Sequence, residues 1–412
     1  MDTQEQSRHR LSSAKRRLAS FLDQLEELRN SSFPHDDGER ALDLLQARFA
    51  ALAEEVDQTQ EDMFPALIDG FCVNVTAQVG KAIVILGLIL RSTNVRNPFE
   101  LHHALAHVVR TAIGDHVRVL VSSEWTYTPF TWPMNFDMLP NFVIIGTPAS
   151  ESSNALVSPL AGHEIGHSAW RHFTEISTAM AKAVDPVVDT ALERQPSIRD
   201  RLLEELKLDQ LGIKVVKERC TVAALKQLEE VFCDLFGLYL FGTAYLHAYD
   251  YLVAPGAAIA TLDYPSDERR VRFLCEAAQA WEIPLERDFA ARWRPTAPHR
   301  EHPKMYDIVA QVVEQLVPDV RDALKKRMDA GSVRLPGENT VREVFRSFER
   351  NEPFDGRASL AEIVMAGWRK LLADGGLSEK GDRDRLRVLN DLVLKSIEVA
   401  EYRELTGTDA QR

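Results

Sequence analysis

Cysteine and long apolar stretches are scarce in this chain of 412 residues, and basic residues are fewer than acidic ones. Its four cysteines form no C-x-x-C pair, so the sequence predicts neither a disulfide framework nor a cysteine-rich zinc site. Lysine and arginine total 49 against 62 acidic residues, which argues against the clustered positive charge of a nucleic-acid-binding protein. The longest run without polar side chains, residues 82–90, is shorter than the roughly 20 residues of a membrane-spanning helix.

These absences also indicate a compartment. The cysteines have mostly apolar neighbours, which is typical of reduced residues in a protein core and of a reducing environment. The first twenty residues contain no apolar segment of the kind found in secretory signals. We therefore expect a cytoplasmic, soluble protein that has neither a membrane nor a nucleic acid as a partner.

The spacing of apolar residues predicts a predominantly helical α+β protein in three parts. These parts are a helical hairpin at 1–60, a catalytic domain at 61–286 with a helical insertion at about 172–225, and a linker with a helical C-terminal region at 287–412. The linker is assigned to 287–305 because that segment is rich in arginine and proline.

Two regions, 70–91 and 115–146, contain strand-like residues that would form a small sheet. The apolar run at 82–90 fits either a buried strand or a core helix. The segment 141–148 is rich in β-branched residues and ends at Gly146 and Pro148. We expect it to be an edge strand that could pair with an extended peptide.

The pentapeptide H-E-I-G-H at 163–167 carries the strongest chemical signal. Residues four apart on a helix lie on one face, with Cβ atoms about 5–6 Å apart, so His163 and His167 can bind one tetrahedral zinc ion. Glu164 would lie beside the metal as the catalytic base. Ser158 and Pro159 predict the helix start, as N-cap and first helical residue. We therefore predict one zinc ion per chain.

A catalytic zinc site needs a third protein ligand. The metzincin arrangement is excluded because Trp170 and Phe173 stand where that class has a glycine and a third histidine. His172 is one residue short of the required position. We interpret it as a packing or surface residue.

The sequence K-Q-L-E-E-V-F-C-D-L-F-G offers a better third ligand. Glu230 and Asp234 are four residues apart, hence on one helical face, in a segment too apolar to tolerate unpaired carboxylates. We predict that Glu230 binds zinc and that Asp234 accepts a hydrogen bond from His163. Glu229 is the alternative ligand, but we expect it to point away from the site.

The combination of H-E-x-x-H with E-x-x-x-D resembles the gluzincin zinc metallopeptidases. Residues 264–271, Y-P-S-D-E-R-R-V, look like the H-P-x-x-x-x-R-I element of HtpX-like and CAAX-prenyl-protease-type peptidases. Arg270 matches the arginine of that element, whereas Tyr264 replaces its histidine. The resemblance covers residues 140–275 and implies a zincin-like core, zinc, and endopeptidase activity on a protein or peptide. The transmembrane helices of HtpX-like enzymes have no counterpart here.

Several alternatives stay open. The residue that stabilises the transition state could be Tyr264, Arg270, Tyr245 or His247, and the sequence does not choose among them. His103 and His107, four residues apart, could form a second metal site or belong to an ordinary amphipathic helix. The protein could also be a helical regulatory or binding protein with a structural or latent zinc site, contacting a regulatory partner through its terminal helical regions.

Overall fold

The structure is a computed structural model. It describes residues 3–31, 33, 36–59, 63–92, 99–124, 130–131, 138–151, 154–194, 212–253, 261–285, 289–290, 303–331, 333–375 and 382–406. The chain divides into two compact units, which are Met1–His102 with Asp115–Ser153, and His103–Gly114 with Asn154–Arg412. The predicted division into three parts is not tested by these units and stays a prediction.

The first unit consists of long helices and a small sheet. Its helices are α1 (Thr3–Arg29), α2 (Asp36–Gln58) and α3 (Pro65–Ser92), and the next helix, α4 (Phe99–Ala112), leads into the second unit. Leucines at helical spacing on α1, among them Leu11, Leu18 and Leu25, are buried against α2 and α3. The predicted helices within residues 1–60 are confirmed.

Helix α3 corrects the prediction for residues 70–91. The apolar run at 82–90 belongs to a continuous helix, because Cys72, Val75, Ala82 and Ile89 recur at intervals that bury one helical face. Among the described helices, α3 is long and apolar enough by length and composition to cross a membrane, and 33% of its apolar window is buried. It contacts α1, α2 and β1 (Arg118–Glu124).

The described sheet has three strands in the order β1-β3-β2, where β2 is Phe130–Thr131 and β3 is Phe142–Pro148. Strand β3 pairs in parallel with β1, Arg118 opposite Phe142, and antiparallel with β2. The two predicted strands are confirmed. The prediction that 141–148 lies at an edge is wrong, because β3 is hydrogen-bonded on both sides.

The second unit is helical. A 3₁₀ helix (Ala155–Leu160) precedes α5 (Ala161–His172), α6 (Thr174–Arg194), α7 (Ile213–Phe241), α8 (Thr243–Leu252), α9 (Asp267–Ala280), α10 (Pro303–Ala330), α11 (Glu338–Glu349), α12 (Leu360–Ala373) and α13 (Asp382–Thr406). Helix α7 contacts α5, α6, α8, α9 and α10, and it is buried without interruption from Glu230 to Phe241. Most of the predicted linker and residues 195–211 of the predicted insertion lie outside the described residues.

The start of α5 differs from the prediction. Asn154, not Ser158, supplies the capping side chain, and it caps the 3₁₀ helix by accepting from the N–H of Leu156 at 3.2 Å. Pro159 lies inside this 3₁₀ helix, and the buried Ser158 hydroxyl has no partner among the described residues. Ser158 therefore caps nothing; α5 follows directly from the preceding turn.

Candidate metal site

Helices α5 and α7 approach each other closely because glycines stand at their contact. A Cβ atom on Gly162 would lie 2.8 Å from the Cα of Gly237, and one on Gly166 would lie 2.7 Å from the Cα of Cys233. Real Cβ atoms essentially never show such distances, so neither position accepts a larger side chain without movement. This contact puts H-E-I-G-H against the acidic part of α7.

The two predicted histidine ligands face the predicted third ligand with the same ring nitrogen. His163 Nε2 lies 3.3 Å from Glu230 Oε2, and His167 Nε2 lies 3.7 Å from Glu230 Oε1. The imidazole centroids are 5.1 Å apart, and the two side chains are only 13% and 15% exposed. The three residues thus direct two ring nitrogens and a carboxylate towards one small region.

Asp234 holds the other side of the His163 ring. Its Oδ1 lies 2.8 Å from His163 Nδ1, and because a carboxylate can only accept, the ring nitrogen is the donor. Asp234 also accepts from the Tyr245 hydroxyl at 2.8 Å and from Arg270 through Nε at 2.7 Å and a second guanidinium nitrogen at 2.8 Å. Burial alone would raise the pKa of Asp234, but Arg270 and His163 outweigh it and lower that pKa.

Glu229 holds the His167 ring in a comparable way, a contact that was not predicted from the sequence. Its Oε1 lies 3.0 Å from His167 Nδ1, the nitrogen opposite the one that faces Glu230. The prediction that Glu229 points away from the site is wrong. The sequence did contain a signal for this contact, because Glu229 directly precedes Glu230. Neighbouring side chains on a helix point about 100° apart, so the two glutamates can reach the two nitrogens of the His167 ring from different sides.

The charges around His163 suit a cation. Burial alone would lower the pKa of His163, but the hydrogen bonds and charges of Asp234 and Glu230 raise it to about 10. Burial would raise the pKa of Glu230, but the hydrogen bond and charge of His163, with the charge of Arg270, lower it. A positive charge at this position is therefore strongly stabilised, whether a proton or a metal ion supplies it.

Glu164 lies beside these groups and is itself buried. Burial raises the pKa of this carboxyl, and the charges of His163 and His167 oppose the increase. Its carboxylate therefore has a greater affinity for a proton than an exposed glutamate has. A general base at neutral pH requires this property.

Cys233 is a further potential ligand. His163, His167 and Cys233 offer ligand atoms within 4.8 Å of one another, and this group could hold a metal ion. It is the one such group among the described residues. The apolar neighbours of Cys233 predict a core residue, and burial does raise the pKa of its thiol well above the usual value.

The other residues considered as transition-state donors or metal ligands have partners of their own. Tyr245 is fully buried, and the His247 ring packs against Trp368 at 5.6 Å between centroids. His172 Nδ1 donates to the Ser168 carbonyl at 2.8 Å, as expected of a packing residue. His107 pairs with Glu404 at 3.3 Å through Nδ1, so the described residues do not support a second metal site there.

No protein-family model matches this sequence, and no curated protein and no solved structure is recognisably similar to it. The resemblance to gluzincin peptidases therefore rests on the motif residues alone and stays a prediction. Its motif residues lie on α5, on α7 and around the start of α9, in the second unit, whereas residues 140–153 of the matched stretch belong to the first unit.

Proposed function

We propose that the protein is a zinc-dependent metallopeptidase in which His163, His167 and Glu230 hold the metal. The observation that carries this proposal is that both Nε2 atoms face Glu230 while each Nδ1 atom bonds to a separate carboxylate. Such bonds fix the tautomer and orientation of histidine ligands, as in metal sites generally.

The distances suit zinc. In a tetrahedral zinc site with bonds of about 2.0–2.1 Å, two ligand atoms lie roughly 3.3–3.4 Å apart. The separations of 3.3 and 3.7 Å run from the two ring nitrogens to different oxygens of Glu230, so one carboxylate oxygen would have to turn towards both nitrogens to reach that value. Nitrogen and carboxylate ligands of this kind are typical of catalytic zinc.

Glu164 supplies the proton transfers of peptide hydrolysis. Bound zinc would act as a Lewis acid that polarises the scissile carbonyl and acidifies water. Glu164 accepts a proton as the water oxygen forms its bond to the carbonyl carbon, and it delivers that proton to the amine nitrogen as the C–N bond breaks. A zincin-like core, a protein or peptide substrate and a cytoplasmic location complete this proposal.

The test compares the wild type with Glu164→Gln. The amide cannot accept the proton, so we expect cleavage of a pooled set of quenched fluorescent peptides to be lost, while zinc content measured by mass spectrometry stays at one ion per chain. Glu218→Gln, an exposed change on α7, is the matched control and should retain full activity. Cleavage by Glu164→Gln at the wild-type rate would refute the mechanism.

Cys233 supports a second candidate function. If its thiolate bound the metal beside the histidines, the site would be closed and structural, as in a regulatory or binding protein contacted through its terminal helical regions. Cobalt substitution distinguishes the two, because a thiolate ligand adds an intense near-ultraviolet charge-transfer band that a carboxylate does not. We expect no such band, and an unchanged spectrum in Cys233→Ser.

A further inference from the structure

The outer face of helix α3, in the first unit, exposes an apolar strip. The side chains of Val73, Ile83 and Leu90 are 69%, 57% and 50% exposed. Gly70 and Gly80 are also exposed, and no described atom lies within 4 Å of a Cβ atom built on either. The helix has 28 residues and is therefore about 42 Å long. A continuous apolar strip of this length in water marks an interaction surface.

Helix α1, which packs beside α3, carries a concentrated positive charge. Residues 6–22 contain five lysines and arginines and no acidic residue, although the whole chain has a formal net charge of −13. His9 and Arg16 are exposed and seven residues apart, as are Arg10 and Arg17, so the helical period places each pair on one face. A basic segment of this kind in an acidic protein indicates an anionic partner.

Two hydrogen bonds join the basic side of α1 to the apolar strip of α3. Arg10 Nη1 donates to Asp69 Oδ2 at 2.6 Å, and Arg17 Nη1 donates to the Thr76 hydroxyl at 3.1 Å. Asp69 and Thr76 lie four residues before and three residues after Val73, on the same side of the helix. Asp69 is the one acidic residue of α3, and Arg10 compensates its charge. The apolar strip and the basic residues therefore form one continuous surface, the α1–α3 surface.

The combination of charge and apolar area selects among anionic partners. A nucleic acid would pair with the arginines but would leave Val73, Ile83 and Leu90 in water. A second copy of this surface would bury the apolar strip but would add a second basic segment rather than an anion. An anionic lipid surface satisfies both features, because its phosphates pair with basic side chains while apolar side chains enter the region below the headgroups.

We propose that the α1–α3 surface docks the protein reversibly onto membranes that contain anionic phospholipids. Helix α3 lies along the membrane plane, with its apolar strip just below the headgroups and the basic residues of α1 at the phosphates. From the sequence we expected no membrane partner, because the apolar run at 82–90 is too short to span a bilayer. Docking on the surface requires no spanning segment, and it does not depend on peptidase activity.

Co-sedimentation of the full-length protein with vesicles tests the docking. We expect binding to vesicles of phosphatidylserine and phosphatidylcholine, and at least about tenfold weaker binding to vesicles of phosphatidylcholine alone, which carry no net charge. Because the attraction between charges is screened by salt, molar sodium chloride should release most of the bound protein. Equal binding to the two kinds of vesicle, or binding to neither, would overturn the inference.

Two variants test the apolar and the basic part of the surface separately. Val73→Asp places a charge where an apolar side chain should enter the lipid, and it should weaken vesicle binding at least about tenfold. Arg16→Glu should weaken it at least about fivefold, because each basic residue near an anionic membrane contributes about that factor. The matched controls are Val388→Asp on α13, where the valine is 44% exposed, and Arg346→Glu on α11, where the arginine is exposed. Both controls should bind like the wild type.

The other occupants of the surface are distinguished without lipid. Analytical ultracentrifugation should show the same oligomeric state for the wild type and for Val73→Asp, and thermal unfolding should show that Val73→Asp and Arg16→Glu are folded. A wild-type dimer that Val73→Asp dissociates would assign the apolar strip to a second copy and overturn the inference. Vesicle binding by Val73→Asp or Arg16→Glu that equals that of its matched control would overturn it as well.

Discussion

Two carboxylates of α7 hold the two histidines of α5, in different surroundings. The Asp234 side chain is 2% exposed. It accepts hydrogen bonds from His163, from Tyr245 and from two guanidinium nitrogens of Arg270. The Glu229 side chain is 25% exposed, and its bond to His167 is slightly longer, 3.0 Å against 2.8 Å. One support is part of the protein core, whereas the other lies at its surface.

Because of this difference, Asp234 should contribute mainly to folding stability, whereas Glu229 should contribute mainly to the orientation of His167. Removing a group from the Asp234 network leaves an uncompensated buried charge, so it affects folding before it affects the metal. Removing Glu229 allows the His167 ring to turn, but it leaves no unpaired charge in the protein core. Folding stability and metal affinity should therefore respond differently on the two sides of the site.

The largest effect is expected from Arg270→Met. Asp234 would remain buried without its cation, and breaking a buried pair of this kind costs about 3–5 kcal/mol. Urea unfolding followed by circular dichroism measures the loss. Arg272→Met on the same helix, where the arginine is 45% exposed, is the control and should cost less than about 1 kcal/mol. Equal losses in the two variants would remove the distinction between core and surface.

The same network has a pH dependence of known sign. Because the pKa of Asp234 is lowered in the folded protein, its stabilisation is present above the unfolded value of about 3.9 and is lost as pH falls through the folded pKa. The wild type should therefore lose stability on acidification more steeply than Arg270→Met. Parallel acid-unfolding curves would contradict this.

An intermediate effect is expected where α5 and α7 meet. In Gly166→Ala the added methyl group would overlap Cys233, and overpacking of this kind costs about 1–3 kcal/mol. Gly70→Ala on α3 is the control, because no atom lies within 4 Å of its added Cβ. That variant should gain up to about 1 kcal/mol from helix propensity. Thermal unfolding that ranks the two variants in the opposite order would contradict the packing argument.

The smallest effect is expected from Glu229→Ala. We expect about tenfold weaker zinc binding, because His167 loses the bond that orients it, with little change in unfolding free energy. Glu229→Gln keeps a carbonyl oxygen as acceptor and should retain most of the affinity. Competition with a chromogenic chelator measures both. A loss of stability as large as that of Arg270→Met would show that Glu229 belongs to the core after all.

Much of the architecture could be predicted from local patterns. The helical periodicity around His163 and His167, the helices within residues 1–60 and the strands β1 and β3 follow from residues a few positions apart. The errors occurred where a local pattern was ambiguous. The apolar run at 82–90 fitted a strand or a helix equally well, and α3 continues through it because its buried face extends from Ile68 to Ile89.

The errors near the site have a tertiary origin. Ser158 has the chemistry of a helix cap, but the preceding turn continues into α5 and leaves no free helix end there. β3 was expected at an edge, yet its position depends on where β2 pairs, which no property of residues 141–148 specifies. Glu229 bonds to His167 of α5, a contact that no spacing within α7 specifies.

The amino-acid sequence by itself determined which residues can act as ligands, base and donors, because their spacing on single helices places His163 beside His167 and Glu230 beside Asp234. Only the tertiary structure decided which atoms meet. That choice depends on how closely two helices distant in the chain can approach, and here glycines at Gly162 and Gly166 permit backbone contact. A methyl group added at that crossing would lie 2.7–2.8 Å from the backbone of α7, so the two helices would have to move apart and take their side chains with them.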